Sequence, residues 1–232
     1  EMVDLFWELY AQHKRGVSRR YMLEKARKEF GSTPLDRITV PRAIEFLNRV
    51  RARTSVSTAN RYHTMVRSLF NRAIEWGKFD GTNPFSKIKQ QKEPHHRLRF
   101  LTKAEISALL PACAPRIYPI VVCALMTGMR RGEILRLTWD TVDFEQGVIY
   151  VLETKSGKPR EIPISPKLAT VLGQLRRGPK GAKLFDVSED VLHTEFQVAL
   201  RRASITEFRF HDLRHKFASD FVMRTNDLPT LQ

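Results

Sequence analysis

An apolar run at residues 120–125 is followed at once by the segment Met-Thr-Gly-Met-Arg-Arg-Gly-Glu. A run that is apolar throughout predicts a buried helix. Gly128 is expected to end that helix, and a second helix is expected to begin at residues 131–133. Arg130 would then lie at a helix junction, with its backbone on buried scaffold and its guanidinium free to reach outward. A guanidinium is a planar fork of donors that matches phosphate oxygens, although an ordinary surface arginine near a helix end has the same signature.

A second conspicuous segment lies near the end of the sequence and reads Phe-His-Asp-Leu-Arg-His-Lys-Phe-Ala-Ser-Asp-Phe-Val. As a helix it places Leu213, Phe217 and Phe221 four residues apart, which predicts a stripe that faces the core. His211 and Arg214 are three residues apart and therefore share one face of the first turn. This segment predicts a helix that presents an imidazole and a guanidinium together.

These segments resemble the signature of the tyrosine recombinase (phage integrase) family. The family has a Thr-Gly-x-Arg-x-x-Glu-[Leu/Ile] segment, matched here by residues 127–134, and a His-x-Leu-Arg-His segment, matched by residues 211–215. Between them the family has a lysine in a β-hairpin, and the corresponding position here is Lys155 in Glu-Thr-Lys-Ser-Gly-Lys-Pro-Arg. The three motifs occur in the family's order.

The resemblance implies a mostly α-helical protein with a small antiparallel β-sheet (α+β). It implies a helical DNA-gripping domain over residues 1–88, a basic linker over residues 89–99 and a catalytic domain over residues 100–232. Residue patterns agree, since helical periodicity runs through the first part. In the second part, an alternating strand pattern at residues 147–152 is followed by a returning strand at 160–164, whose proline indicates a sheet edge.

The formal net charge of +15 is unevenly distributed. Residues 1–99 hold 21 lysines and arginines against 10 acidic residues, whereas residues 100–232 hold 19 against 15. A basic first part predicts a polyanionic partner, of which nucleic acid is the commonest, although basic charge also serves solubility alone. Helical periodicity predicts a fourth helix between Ser57 and Gly77. Its polar face consists of Asn60, Arg61, His63, Thr64, Arg67, Ser68 and Arg72. Candidate DNA-binding residues on this helix and the linker are Arg61, Arg67, Arg72, Arg97 and Arg99.

Strand transfer in DNA needs a nucleophile, cationic stabilisation of a phosphorane-like state and an acid for the leaving 5′ oxygen. The resemblance implies that Arg130 and Arg214 clamp the non-bridging oxygens. It implies that His211 assists proton transfer or binds a phosphate oxygen, and that Lys155 is the acid. Lys158 competes for the acid role, and Lys155 is preferred because it precedes Ser-Gly as the family lysine does.

Two supporting positions follow from the same resemblance. Glu133 corresponds to an acidic residue that supports the active-site arginines, and a surface acid at a helix start is the alternative. His215 has a family counterpart with a structural role.

The family's nucleophile is a tyrosine some tens of residues after the His-x-Leu-Arg segment, and a further His or Trp precedes it. All five tyrosines of this sequence precede His211, and the last is Tyr150. Tyr118 and Tyr150 lie in apolar contexts and are expected in the core. We expect these 232 residues to be part of a longer chain, truncated before the nucleophile. We expect them to bind DNA without forming a 3′-phosphotyrosyl bond by the family's route.

Other functions are weighed against this one. His211 and His215 have the spacing of a zinc-protease motif, but Asp212 stands where that motif has Glu, and Arg214 would put a cation beside the metal. A type IB topoisomerase shares much of the catalytic constellation, and a DNA-binding regulator derived from an integrase is the non-enzymatic alternative. We expect no metal and no cofactor, because a phosphotyrosyl bond conserves the phosphodiester energy.

The sequence has only two cysteines and no apolar run of membrane-spanning length, so neither a disulfide framework nor a membrane span is expected. The resemblance implies double-stranded DNA as the partner and a homotetramer on two DNA sites for the full-length family. For the present stretch we expect a monomer, in a cytoplasmic protein that associates with the nucleoid. A phage or another mobile element is the expected origin.

Overall fold

The computed structural model describes residues 1–12, 17–93, 99–152, 159–179 and 181–225. The chain divides into two compact units, Glu1–His96 and Arg97–Gln232. Each unit has its own apolar core. Helices dominate both units, and one small antiparallel sheet lies in the second, so the predicted fold class is confirmed.

The first unit is built from helices that surround a cluster of aromatic rings. Its helices are α1 (Met2–Phe6), which continues as a π-helical turn (Trp7–Ala11), α2 (Val17–Phe30), α3 (Val40–Arg53) and α4 (Val56–Glu75). A 3-10 turn, Pro84–Lys87, follows α4. Phe85 from this turn packs with its ring centroid 5.7 Å from that of Phe70 and 6.4 Å from that of Phe30. The turn therefore belongs to the core of the helical unit.

His63 departs from its predicted place on the polar face of α4. Its side chain is buried, and Nε2 lies 2.8 Å from the carbonyl oxygen of Phe85. Because the 3-10 turn packs back over this part of α4, it covers a position that helical periodicity alone assigns to solvent. His63 is part of the core and is inaccessible to a partner.

Two more residues of the predicted polar face hold the following chain against α4. The Asn60 side chain accepts a hydrogen bond from the backbone nitrogen of Gln91 (3.2 Å) and donates one to its carbonyl oxygen (2.8 Å). Nε2 of Gln90 donates to Oγ1 of Thr64 at 2.8 Å. Gln90 and Gln91, which belong to the predicted basic linker of residues 89–99, are therefore hydrogen-bonded to α4.

Asn60→Ala is expected to release this segment. A buried or half-buried amide that bonds both backbone groups of one residue contributes roughly 1–2 kcal/mol. Faster amide hydrogen exchange at Gln91, with little change elsewhere, is the expected result. Arg61→Ala is the matched control, since Arg61 is the exposed neighbour on the same helix. Equal exchange rates at Gln91 in the two variants would contradict the assignment.

The second unit packs helices around a central apolar helix. Its helices are α5 (Lys103–Ala112), α6 (Tyr118–Thr127), α7 (Arg131–Ile134), α8 (Pro166–Gly173), α9 (Glu189–Arg202) and α10 (Asp212–Thr225). The predicted apolar run lies in α6, where its residues are buried, and α5, α8 and α10 pack against it. Among the described residues, no helix is both long and apolar enough to cross a membrane.

The sheet consists of β1 (Val142–Asp143), β2 (Val148–Val151) and β3 (Arg160–Pro163), all antiparallel, in the order β1-β2-β3. The two longer strands and the edge position of Pro163 were predicted, and both are confirmed. The two-residue β1 was not predicted, because so short a strand carries no periodicity. The register pairs Val151 with Arg160, so that Arg160 opens the returning strand.

Candidate active site

A rigid turn between α6 and α7 places Arg130. Gly128 ends α6 in the left-handed conformation, with φ of 62°. Arg130 has an extended backbone and is the N-cap residue of α7. The predicted helix junction is confirmed, and the guanidinium of Arg130 lies on its solvent side with 42% of the side chain exposed.

A buried carboxylate organises the cations around this turn. The Glu133 side chain is 2% exposed. Its Oε2 accepts from the backbone nitrogen of Arg130 at 2.9 Å, and its Oε1 accepts from Nη1 of the same residue at 3.0 Å. Arg160 reaches both oxygens, with Nη2 at 2.7 Å from Oε2 and Nη1 at 3.3 Å from Oε1.

These hydrogen bonds determine the charge state of Glu133. Burial by itself raises the pKa of the carboxyl group, because it removes water from the charged form. Bonds from Arg160 and from the backbone and side chain of Arg130 outweigh burial and lower the pKa of Glu133 to about 2. Glu133 is an anion at neutral pH, and it is not the surface acid of the alternative interpretation.

Sequence reasoning missed Arg160 as part of this site. It was assigned only to the returning strand of the hairpin, and it lies 27 residues from its partner Glu133. Nothing local in the sequence reports the contact, which depends on how the start of β3 lies against α7. An arginine three residues before a strand proline was the only signal, and it carries no indication of a partner.

Arg214 approaches the same turn from α10. Its Nη1 donates to the carbonyl oxygen of Gly128, the residue that ends α6. Burial, and next the positive charge of Arg130, lower the pKa of Arg214, and Arg160 adds to the effect. The two predicted arginines are therefore close enough to interact electrostatically, although they are far apart in the chain.

His211 lies directly before α10 and is exposed. Its ring is perpendicular to that of His215, with the centroids 5.2 Å apart. Loss of part of its hydration lowers the pKa of His211, and the nearby His215, Arg214 and Arg130 lower it further. The imidazole therefore belongs to the same cationic cluster as the two arginines.

Removal of a neighbouring charge is expected to raise the pKa of His211. In Arg214→Met the side-chain volume is largely kept but the cation is lost, so protonation of His211 becomes less unfavourable. The measurement is a pH titration of the imidazole signals by NMR. Arg116→Met is the control, because Arg116 pairs with Glu195 on α9 instead. An unchanged His211 titration in Arg214→Met would show that the two groups do not interact.

The remaining predicted site residues have different surroundings. Lys155, its competitor Lys158 and Arg97 lie outside the described residues. Arg99 is half-buried, where it bonds Glu105 at 2.6 Å and lies over the Phe208 ring. The guanidinium of Arg99 is therefore already engaged within its own unit.

On α4, Arg61 and Arg67 are exposed, as the prediction of a DNA-facing role requires. Arg72 pairs with Glu75 and lies over the ring of Tyr10, with its guanidinium carbon 4.4 Å from the ring centroid. Arg61 and Arg67 are therefore available to a partner, whereas Arg72 is engaged within its own unit.

The second unit contains two tyrosines, Tyr118 and Tyr150. Tyr118 packs against the core, as expected. Tyr150 is only half-buried, and its hydroxyl donates to Oε1 of Gln146 at 3.1 Å, so its assignment to the core was wrong. Among the described residues there is no cluster of three or more metal-ligating side chains.

The arrangement is suited to bind a tetrahedral anion. The guanidinium groups of Arg130 and Arg160 bond the buried carboxylate of Glu133, and that of Arg214 lies near them, so the local charge is positive. The side chain of Arg130 donates to Glu133 through one nitrogen, and that of Arg214 donates to a carbonyl oxygen through one nitrogen. The other N–H donors of these two guanidinium groups bond none of the described residues and can bind phosphate oxygens, and His211 lies beside them.

The known proteins to which this chain is similar are integrases and recombinases. The sequence profile of the phage integrase family matches residues 99–232, and that of the phage integrase N-terminal domain matches residues 1–92. The shufflon-specific DNA recombinase of Escherichia coli is 29% identical over 94% of this chain and 60% of its own length. The integrase of Escherichia phage P2 is 27% identical over 100% of this chain and 68% of its own length.

The fold is also that of a solved recombinase. A lambda integrase tetramer bound to a Holliday junction superposes with a TM-score of 0.82 at 18% identity, over 100% of this chain and 74% of that chain. The profile matches, together with this fold, define a protein of the tyrosine recombinase class. The chain belongs to the phage integrase family.

Proposed function

We propose that the whole protein is a site-specific DNA recombinase that cuts and rejoins double-stranded DNA through a 3′-phosphotyrosyl intermediate. The chain spans about 60% of the shufflon-specific recombinase and about two thirds of the phage P2 integrase. The observation that carries the proposal is the convergence of Arg130, Arg214 and His211 around the turn that ends α6. Their free donors suit the non-bridging oxygens of one phosphodiester.

The roles of the other parts follow from this proposal. Residues 1–88 grip the DNA, residues 89–99 link the two parts, and residues 100–232 hold the catalytic groups. Lys155 is the acid for the leaving 5′ oxygen, and Glu133 and His215 support the cations. Exposed Arg61 and Arg67 are the proposed DNA contacts of α4. Assembly as a tetramer on two DNA sites and association with the nucleoid belong to the same proposal.

The test locates the phosphate that the site holds. Preferred duplexes are first selected from a random DNA library with the 232-residue chain. Single phosphates are then replaced by neutral methylphosphonates, and binding is measured for the wild type and for Arg130→Ala. At one position in a strand, the methylphosphonate is expected to weaken wild-type binding but not binding by the variant, because the contact is already lost.

Two results would contradict the proposal. One is that the methylphosphonate and Arg130→Ala weaken binding additively at every position. That result would mean that Arg130 contacts no single phosphate. The other is complete loss of DNA binding by Arg130→Ala with the fold intact, since most of the affinity is expected from dispersed backbone contacts.

A further inference from the structure

Glu133 is shared unequally by its two arginines. Arg160 uses two nitrogens and reaches both carboxylate oxygens, at 2.7 and 3.3 Å. The side chain of Arg130 uses one nitrogen, at 3.0 Å from Oε1. Bidentate pairing is the stronger arrangement and holds both planes in a fixed orientation. Arg160 is thus the principal partner of the carboxylate, and Arg130 is the secondary one.

The unequal sharing of Glu133 affects how many nitrogens of Arg130 are available to a ligand. A buried carboxylate with vacant lone pairs attracts any guanidinium within reach, because an unsatisfied buried charge is costly. Arg130 is tied to Glu133 by the backbone hydrogen bond of the N-cap and cannot move away from it. Without a competing fork, Arg130 would turn its own two nitrogens onto Glu133. Those nitrogens would then be unavailable to an incoming phosphate.

We propose that Arg160 is a positioning residue: by occupying both oxygens of Glu133, it keeps the guanidinium of Arg130 turned outward and free to bind phosphate. This inference rests on the proposed function, in which Arg130 binds the scissile phosphate. Arg160 itself acts through Glu133. Because Arg160 opens β3, the same contact fastens the base of the β2–β3 hairpin to the turn that carries Arg130.

Arg160→Lys is the discriminating variant. Lysine keeps the positive charge but replaces the planar fork by a single ammonium, which cannot cover both oxygens in the same way. Loss of phosphate affinity in this variant therefore reports the fork and not the charge. The matched control is Arg116→Lys, which changes the arginine of another Arg–Glu pair in the same unit.

The probe is inorganic phosphate, followed by NMR of the side-chain N–H signals of Arg130 and Arg214 in the 232-residue chain. In Arg160→Lys the affinity reported by Arg130 is expected to fall about tenfold, which corresponds to the loss of one good charge-assisted contact. A crystal structure of this variant is expected to show both Nη atoms of Arg130 on Glu133. Arg116→Lys is expected to bind phosphate like the wild type.

A double-mutant cycle separates charge from position. Glu133→Gln raises the local positive charge equally in any background, so a charge effect alone increases phosphate affinity by the same factor with Arg160 or with Lys. Capture of Arg130 by the carboxylate predicts a larger increase in the Arg160→Lys background. Equal factors, together with an unchanged orientation of Arg130, would overturn the inference.

The two proposals fail in different ways. If phosphate shifts neither Arg130 nor Arg214 in the wild type, the anion site itself is wrong and both proposals fall. If the wild type binds phosphate and Arg160→Lys binds it equally well, only the positioning role of Arg160 is refuted.

Discussion

Gly128→Ala is expected to destabilise the second unit by about 3 kcal/mol. A Cβ at this position would lie 2.3 Å from Cδ1 of Phe217, closer than carbon atoms can approach. The backbone φ of 62° adds about 1 kcal/mol for any residue other than glycine. Because Phe217 lies on α10, the collision pushes away the helix that carries Arg214. Thermal and denaturant unfolding measure the loss.

Gly147→Ala isolates the conformational part of this cost. Gly147 has a φ of +68°, but nothing lies within 4 Å of an added Cβ. We expect a loss of about 1 kcal/mol there, and the difference between the two variants is the collision with Phe217. Phe217→Leu should recover part of the stability of Gly128→Ala and none of that of Gly147→Ala. Equal losses of stability in Gly128→Ala and Gly147→Ala would mean that α10 moves away from the added Cβ without a cost in free energy.

Glu133→Gln is expected to cost about 3 kcal/mol of stability and to remove part of the acid sensitivity of the protein. The amide replaces one accepting oxygen by a donating NH2 group and carries no charge, so it cannot accept all the bonds that Arg160 and Arg130 give to Glu133, and both arginines lose their buried counter-charge. This loss is large because the Glu133 side chain is only 2% exposed. Glu195→Gln is the control. It breaks a pair with an exposed arginine on the surface of α9, where about 1 kcal/mol or less is at stake.

The pH dependence follows from the direction of the Glu133 pKa shift. Its pKa is lowered from 4.5 to about 2, so the unfolded chain takes up this proton before the folded chain does. The stabilisation is therefore complete above about pH 5 and is lost as the pH falls toward 2. Stability of the wild type should decline over this range more steeply than that of Glu133→Gln. Parallel declines would show that Glu133 is not the responsible group.

Much of the site was predictable because its signals are local. The apolar run before Gly128 requires a buried helix, and a glycine that must adopt a positive φ ends it. Arg130 and Glu133, three residues apart, then form the start of α7, in which Glu133 accepts a hydrogen bond from the backbone nitrogen of Arg130. The spacing of His211 and Arg214 similarly follows from the helical repeat alone.

The parts that sequence reasoning missed depend on contacts between distant segments. His63 was placed on a polar face because helical periodicity could not show that the turn at Phe85 folds back over it. Lys155 lies outside the described residues, so its predicted role as the acid stays a prediction.

Residue patterns alone were enough to predict the buried helix α6, the junction after Gly128 and the place of Arg130 at that junction. The packing of distant segments established that Arg160 holds both oxygens of Glu133, whereas the side chain of Arg130 makes one bond to it. That choice between Arg160 and Arg130 arises from the position of one strand against one short helix. Periodic patterns specify which face of an element turns inward, but they carry no information on the alignment of one element along another.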